Sequence, residues 1–556
     1  MLQLETQLAD VLRRVLDGAE GMASSPVLPD AAYRWEIPKD PSFGDLSSAI
    51  ALKLAGLRKQ SPVRIAETLA EQLLAACRAT DAGAWIDRVE AKAGFLNVFL
   101  SPRALTTVLA RILKEKDRYG CRARSTPATA NIEFVSANPT GPLSVAHGRQ
   151  AAVGDVLARL LRTQGADVAT EYYLNDEGRQ IELLGRSLRA RYLQQLGRET
   201  AFPEDGYHGA YVTDLAARLV RERGEGYAES PESVFAEIGR TEMLREIKAD
   251  LTRFGLVFDQ WTSQTWLRTS GKTERALQAL TARGALYDAE DATWFASTRY
   301  GDDKDRVVKK RDGELTYLAP DIAYHRWKFQ RGYHQIINLW GPDHHGYIAR
   351  VKAAVAALGL PADHLAVRIV QLVTLSRHGK PVPMSKRQGE FITFREVMEE
   401  VGVDATRFFL LMRTMESHLD FDLDLAKSQS QENPVYYVQY AHARISSILA
   451  KIPRAPWWQR RRLNLDLLEA PEERLLARWL FQYPIVLYLC AAALEPHGLT
   501  VYLRKLAESF HVFYTQHRVI MEDAPRSAAR VALIRATRQV LANGLGLLGV
   551  SAPVRM

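Results

Sequence analysis

The opening residues, MLQLETQLADVLRRVLDG, set apolar side chains three and four apart among mixed acids and bases, the spacing of an amphipathic helix with one buried face. Similar patterning predicts a small α+β unit over residues 1–120. Within it, DPSFGDLSSAIALKLAG predicts a helix that carries Leu46, Ile50 and Leu54 on one face with Asp45 as its cap. GFLNVFLS, with Phe95, Asn97 and Phe99 alternating against Leu96, Val98 and Leu100, predicts a strand buried on both faces. The next stretch changes period twice. NIEFVS is β-rich, a Pro/Gly loop follows, and a helix from about Val145 carries Val153, Val156, Leu157, Leu160 and Leu161 as one stripe before Gly165 stops it. DVATEYYL is the next strand, so this β-loop-α-β unit opens a doubly wound parallel sheet. A charged helical stretch over roughly 178–290 reads as an insertion. Strand, helix and strand then resume around QIINLW, YIARVKAAVAALG and LAVRIVQLVTLS, and from about residue 395 the period is helical almost throughout, broken near Pro453, Pro471 and Pro525.

Length and composition narrow the classes. A chain of 556 residues with 47% apolar and 25% charged side chains has room for three or four packed domains and lacks the bias of a disordered or repeat protein. The N-terminus lacks the basic-then-apolar order of a targeting signal, and no run approaches the roughly 18–20 uninterrupted apolar residues of a membrane span, so a cytoplasmic protein with no membrane partner is expected. The 3 cysteines, Cys77, Cys121 and Cys490, form no close pair, which argues against a disulfide framework or a thiolate zinc site. Charge is uneven: of 73 Lys/Arg and 65 Asp/Glu, 16 and 8 fall from Pro434 onward, which leaves 57 of each before it. The whole net excess of +8 thus belongs to the helical tail and points to a polyanionic partner there.

Candidate chemistry sits in two loops. In a doubly wound sheet, ligands bind beyond the carboxyl ends of the strands with phosphates near a helix N-terminus, and the loop from Asn138 to Gly148 has that position. Pro139 and Pro142 stiffen it, Gly141 frees it locally, and His147 falls in the first turn of the helix. The second loop, SRHGKPVPMSKRQGEF, sets Lys380, Lys386 and Arg387 among glycines and prolines, as a mobile basic loop over a polyphosphate would. PDHHG offers histidine and aspartate, but adjacent strand residues face apart, so a metal site is not the leading reading.

Together LSVAHG and VPMSKR resemble the two signatures of class I aminoacyl-tRNA synthetases. The likeness to arginyl-tRNA synthetases of bacterial type runs from residue 43 to the end, through FGDLSSAIALKLA, IEFVSANPTGP, EYYLNDEGRQ, GDDKDRVVKK, TYLAPDIAYH, WGPDHHGYIARV, DATRFFLL, ENPVYYVQYAHARI and GLGLLGVSAPVRM. The resemblance implies a Rossmann-like catalytic domain over 121–395 with its insertion, an appended N-terminal domain that touches the tRNA elbow, and a stem-contact and anticodon-binding helical bundle over 396–556. It implies ATP-dependent ligation of L-arginine to the 3′ end of tRNA through an arginyl-adenylate, with Mg²⁺ accompanying ATP and no zinc or organic cofactor, in a monomer. His147 and Lys386 are the implied catalytic residues. Pro139, Gly141, Ser144, Gly148, Asp343, His344, Gly346, Met384 and Ser385 join them at ATP, and Glu133, Asn138, Tyr317 and Asp321 hold arginine. A carboxylate accepts the planar guanidinium two-fold, as lysine's ammonium does not allow. For tRNA, Arg444, Arg460, Arg461, Arg462 and Tyr436 stand out, with Trp457 and Trp458 interleaved, although helical spacing makes Tyr437 and Tyr440 candidates for core packing.

The sequence departs from the family pattern at Ser144, Ala146 and Pro383, which stand where a histidine, a glycine and a basic residue are expected. The Ser144 and Pro383 changes each remove a donor from the phosphate site, an effect of about 100- to 1000-fold in rate by analogy with oxyanion-hole deletions. Retention of His147 and Lys386 favours a working enzyme; the alternative is a weakened or inactive tRNA-binding paralogue. A nucleotidyltransferase of the same sheet fold would lack the helical tail, and a cysteine ligase would need a zinc pocket.

Overall fold

A computed structural model of the chain describes residues 2–17, 33, 35–38, 40–122, 128–382, 392–452 and 463–556. The N-terminal unit packs helices Leu2–Asp17, Ile50–Arg58 and Pro62–Arg78 on a three-stranded antiparallel sheet of order Leu46–Ser48, Phe95–Leu100, Ile86–Lys92. Asp45 does not cap a helix, as its spacing suggested: Leu46–Ser48 is a strand, and the helix starts only at Ile50. Its buried carboxylate instead accepts the Leu100 N–H at 2.8 Å and pairs with Arg478 of the C-terminal bundle at 2.5 Å.

The central sheet has five parallel strands: β1 (Thr129–Glu133), β2 (Asp167–Leu174), β3 (Gln260–Ser263), β4 (Gln335–Trp340) and β5 (Leu365–Ile369), in the spatial order β5-β4-β1-β2-β3. Helix α1 (Val145–Thr163) crosses from β1 to β2, and Gly165, with φ +79°, ends its turn where the sequence indicated. The stretch 178–290 is only partly the helical insertion it resembles. Helices α2 (Arg179–Gln195), α3 (Ala210–Arg223) and α4 (Glu232–Arg253) form their own small core around Leu188, Tyr192 and Phe235, but β3 then returns to pair with β2. A second three-stranded sheet, Leu286–Ala289, Ala292–Phe295 and Arg306–Lys309, follows before α5 (Leu318–Gln330) leads into β4, and α6 (Ile348–Ala357) links β4 to β5.

Beyond the sheet, α7 (Phe394–Val401) and α8 (Val403–Leu410) precede a bundle of α9 (Pro434–Ala450), α10 (Pro471–Ala493), α11 (His497–Gln516) and α12 (Ala524–Leu548). Proline opens α9, α10 and α12 within their first two positions, where its missing N–H costs nothing. Helix α10 is long and apolar enough to cross a membrane by length and composition, but 67% of the qualifying window is buried inside the protein, as in a core helix.

Arg407 of α8 joins these parts. Its fully buried guanidinium donates to the Asp155 carboxylate of α1 at 2.8 Å, to the Phe254 carbonyl after α4 at 2.9 Å and to the Leu548 carbonyl ending α12 at 3.1 Å. Gly549, at φ +70°, makes room: a Cβ there would lie 2.5 Å from the guanidinium. Breaking a buried ion pair typically costs about 3–5 kcal/mol. Arg407→Met is expected to lower the melting midpoint by several degrees in differential scanning fluorimetry, and Arg407→Lys to restore little, since one ammonium cannot span three divergent acceptors; an unchanged midpoint would show the staple to be idle.

Candidate functional site

Sequence order places β2 and β3 on one side of β1 and β4 and β5 on the other, so the topological switch lies between β1 and β4. A cavity of about 520 Å³ opens there, at the carboxyl ends of β1, β2 and β4. Register explains its chemistry. Asn338 of β4, Glu133 of β1, Glu171 of β2 and Gln260 of β3 are successive pairing partners, so four polar side chains stand in one row across otherwise apolar strands.

Helix α5 lies across that row. Lys328 donates to Glu133 Oε2 at 2.6 Å and to Asn338 Oδ1 at 2.8 Å, with its ammonium also over the face of the Tyr324 ring. One turn on, Arg331 donates to Glu171 at 2.5 Å and also reaches Gln260. Burial alone would raise the Glu171 carboxyl, but Lys328, Arg331 and the Thr262 hydroxyl hold it below the ordinary carboxylate range. Because Asn338 Oδ1 faces Lys328, its amide nitrogen faces His325 Nε2 at 2.8 Å. That nitrogen must therefore accept, and His325 Nδ1–H donates to the Asp321 carbonyl at 2.8 Å. The imidazole is neutral, in line with burial pushing it down to about 3.

Asp321, half-buried on the cavity wall, accepts the Tyr347 hydroxyl at 2.7 Å. Burial raises its carboxyl to about 7, against the lowering effect of that hydrogen bond, and the Glu133 charge adds to the rise. Tyr347 is itself raised by burial and by the same carboxylate.

The opposite wall is the Pro/Gly loop. β1 stops at Glu133 because Val135 and Ser136 take φ of +68° and +38°, and the Ser136 N–H returns to the Phe134 carbonyl at 3.0 Å, a tight turn of the rarer, strained hand. Ser136 Oγ then donates to Glu133 at 3.1 Å and accepts the Tyr173 N–H at 3.1 Å. Asn138 donates to Gln180 at 2.7 Å, and Tyr211 of the insertion donates to the Thr140 carbonyl at 2.7 Å with its ring against Gly141, so α2 and α3 seat the loop. At the start of α1, the Ser144 N–H donates to His147 Nδ1 at 3.1 Å, with Ser144 Oγ at the same distance. An accepting Nδ1 puts the ring proton on Nε2.

Glu133, Asn138, His147, Tyr317, Asp321, Asp343 and His344 all line this cavity. Pro139, Gly141, Ser144, Gly148 and Gly346 are not among its lining residues: Gly148 admits the Phe394 ring, which a Cβ would meet at 2.4 Å, and a Cβ on Gly346 would meet nothing. PDHHG is a 3₁₀ turn, Pro342–Tyr347, so the argument from opposite faces of a strand does not apply to it. Among the described residues no group of three His, Cys, Asp or Glu is placed to hold a metal. Met384, Ser385, Lys386, Arg460, Arg461 and Arg462, with Pro383, Trp457 and Trp458, lie outside the described residues. Their flanks are informative: Thr393 bridges Ser144 and the Phe394 N–H donates to the Leu143 carbonyl at 2.8 Å, so the basic segment rejoins the fold beside α1. Arg149, wholly buried, ties α1 to the Gln371, Thr414 and Ser417 carbonyls at 2.8–3.0 Å, and burial lowers it to about 10.

Sequence reasoning missed Tyr347, Tyr173, Gln150, Gln264 and Trp340 on the cavity wall and Lys328 beneath it. A lone polar residue in each apolar strand, Glu133 in NIEFVS and Asn338 in IINLW, opposite basic or imidazole residues three apart in one helix, is the signal that was available. On the bundle, Tyr436 and Tyr440 stack at 6.2 Å and Tyr440 also stacks on His511, while Tyr437 is half-buried against the core. Arg444 is exposed above the Tyr514 ring.

Comparison with known proteins supplies the context. Residues 3–100 match the family model for the arginyl tRNA synthetase N terminal domain, and residues 438–556 that for the DALR anticodon binding domain. A Geobacillus kaustophilus arginine–tRNA ligase is 44% identical over 564 residues, covering 100% of this chain and 99% of the relative. One from Desulfosudis oleivorans is 45% identical over 529 residues, covering 94% of each. In fold, the chain is similar to the solved Thermus thermophilus arginyl-tRNA synthetase, with TM-score 0.76 and 23% identity over 99% of this chain and 100% of that one.

The raised Asp321 carboxyl makes a stability prediction. The folded state holds its proton from about pH 4 to about 7 whereas the unfolded state does not, so this group's stabilising contribution is full below the ordinary carboxylate range and is lost as pH rises through about 7. Asp321→Asn is expected to gain in melting midpoint relative to the parent from pH 5 to 7 and to hold that gain above it; a gain that instead shrank with pH would contradict the assignment.

Proposed function

Since the chain belongs to the arginyl-tRNA synthetase family and charges tRNA with arginine at the expense of ATP, we propose that the cavity at the β1/β4 switch is where arginine meets ATP. The observation that carries this reading is the placement of two carboxyl groups, Glu133 and Asp321, in the same cavity as His147, Asp343 and His344. Arginine lies at the Asp321 end, with its guanidinium on carboxylate oxygen and Asn138 and Tyr317 at hand for its remaining polar groups. ATP lies toward the N-terminus of α1, whose first-turn N–H groups and His147 Nε2–H are donors suited to phosphate oxygens. Asp343 and His344 take the nucleoside side, with Mg²⁺ brought by the nucleotide.

The arginine carboxylate attacks the α-phosphorus and pyrophosphate leaves; a ribose hydroxyl at the tRNA 3′ end then attacks the activated carbonyl and AMP leaves. No protein nucleophile is required, so the protein's contribution is orientation and stabilisation of developing phosphate charge. Lys386 completes this in our reading, since the segment that bears it rejoins the fold at the Ser144–Thr393 bridge. Ser144 retains a place by its N–H and hydroxyl contact with His147, which favours a working enzyme over a silent paralogue. The basic bundle, with Tyr436 and Arg444 exposed to different degrees on it and Arg460–Arg462 in the same segment, takes the anticodon stem and loop, and the N-terminal unit takes the elbow. Bacterial relatives charged with translation support a cytoplasmic, monomeric enzyme.

Pyrophosphate exchange with arginine, run with and without tRNA, tests the reading; exchange supported by another amino acid and not by arginine would sink it. Removing one charge-assisted contact to the transferring phosphate is worth about 100- to 1000-fold, so His147→Ala should lower kcat to that extent with the arginine KM little changed. Asp321→Asn should instead raise the arginine KM by about 10- to 100-fold, the range of a hydrogen bond to a charged group.

A further inference from the structure

The empty pocket holds an imbalance that arginine must settle. Glu133 is already paired with Lys328 at 2.6 Å, and all three ammonium protons of Lys328 are engaged, by Glu133, by Asn338 and by the Tyr324 ring face. Asn338 in turn fixes His325 as neutral. Asp321 is left with the Tyr347 hydroxyl as its hydrogen-bond donor, and among the described residues no cation forms an ion pair with it. The groups that face it are Glu133 from β1, Tyr173 from β2, Lys328 and His325 from its own helix, and Tyr347 with Arg350 from the segment after β4; Arg350 lies against the Tyr347 ring at 4.6 Å. Arginine carries two cationic groups and one carboxylate, a net charge of +1.

On the reading that Asp321 receives arginine, we propose that Lys328 sets the charge of this pocket by neutralising Glu133, leaving Asp321 as its one exchangeable carboxyl, so that arginine is taken up in exchange for the Asp321 proton. The proton passes to solvent, and the guanidinium takes over the carboxylate the proton has left. Lys328 is thus a positioning and specificity-determining residue beneath the site and makes no contact with substrate. A ligand as long as arginine but with a neutral urea head expels no proton, so the pocket discriminates against it by charge, and less so in acid.

The test is calorimetric titration of the full-length protein with L-arginine in pairs of buffers of different ionisation heat, which counts protons released per ligand bound. With the carboxyl at about 7, the expected release is about 0.9 proton at pH 6 and about 0.1 at pH 8. L-Citrulline should release none at either pH, and Asp321→Asn should abolish release while weakening arginine binding. Lys328→Met strands Glu133 in the cavity wall, where it takes a proton of its own, so release at pH 6 should rise toward two; Lys328→Met with Glu133→Gln should return it to about one. Should the single variant fail to fold by circular dichroism, the double variant, which leaves no unpaired buried charge, carries the comparison with the parent. A parental release that does not change with pH, or a folded Lys328→Met protein that binds arginine with an unaltered proton count, overturns the proposal. Asp321→Asn with an unchanged arginine KM would instead overturn the pocket assignment itself, so the two failures are distinguishable.

Discussion

Four polar residues in register across the middle of an apolar sheet are the constraint from which the site is built. Asn338, Glu133, Glu171 and Gln260 would each be costly to bury alone, and the cost is met because α5 lays Lys328 and Arg331 over them at one-turn spacing. The contacts fix the rotation of α5 about its axis, and Asp321, two turns before Lys328 on the same helix, is thereby aimed at the cavity. A buried ion pair of this kind is weak evidence of net stability. What it supplies here is placement: a helix that slipped by one residue would leave two cations and two carboxylates without partners.

The same economy of anchors joins the domains. Arg407, Arg149 and the Asp45–Arg478 pair each spend a charged group on partners in another part of the chain, and two of the three rely on backbone carbonyls at helix or loop ends. Helix α1 carries both Asp155 and Arg149, so the helix that opens with His147 is also the one to which the insertion, the C-terminal bundle and the 414–417 loop are tied. The His147 ring is oriented by Ser144 at one end of a helix whose interior is held from three directions.

How far this could be read in advance follows from the range of each interaction. The β1–α1–β2 unit was legible because its signals are local: the strand DVATEYYL, the stripe from Val153 to Leu161 and the stop at Gly165 all lie within one turn or one pleat of what they specify. The end of the insertion was not, since QWTS is four residues long and becomes a sheet strand only because the edge of β2 is free to receive it. Asp45 failed for a similar reason, its partner Arg478 lying over four hundred residues away. For the site, motif resemblance found the residues that face ligand, Glu133, Asn138, His147 and Asp321, but not the frame beneath them. Lys328, His325 and Asn338 carry no motif; their roles exist only once register has set them side by side.

Asn338 has a consequence for how this pocket can change over generations. Its amide is polar in a fixed sense, oxygen to the lysine and nitrogen to the imidazole, so the identities of three neighbours are written into one orientation. Replacing any of them alone inverts a donor or an acceptor somewhere in the frame, and only coordinated changes leave it satisfied. Substrate preference in such a protein should drift through the residues that line the cavity while the frame beneath stays put, and a lineage that did shift from a cationic to a neutral substrate would have to cross a valley of poorly folded intermediates first.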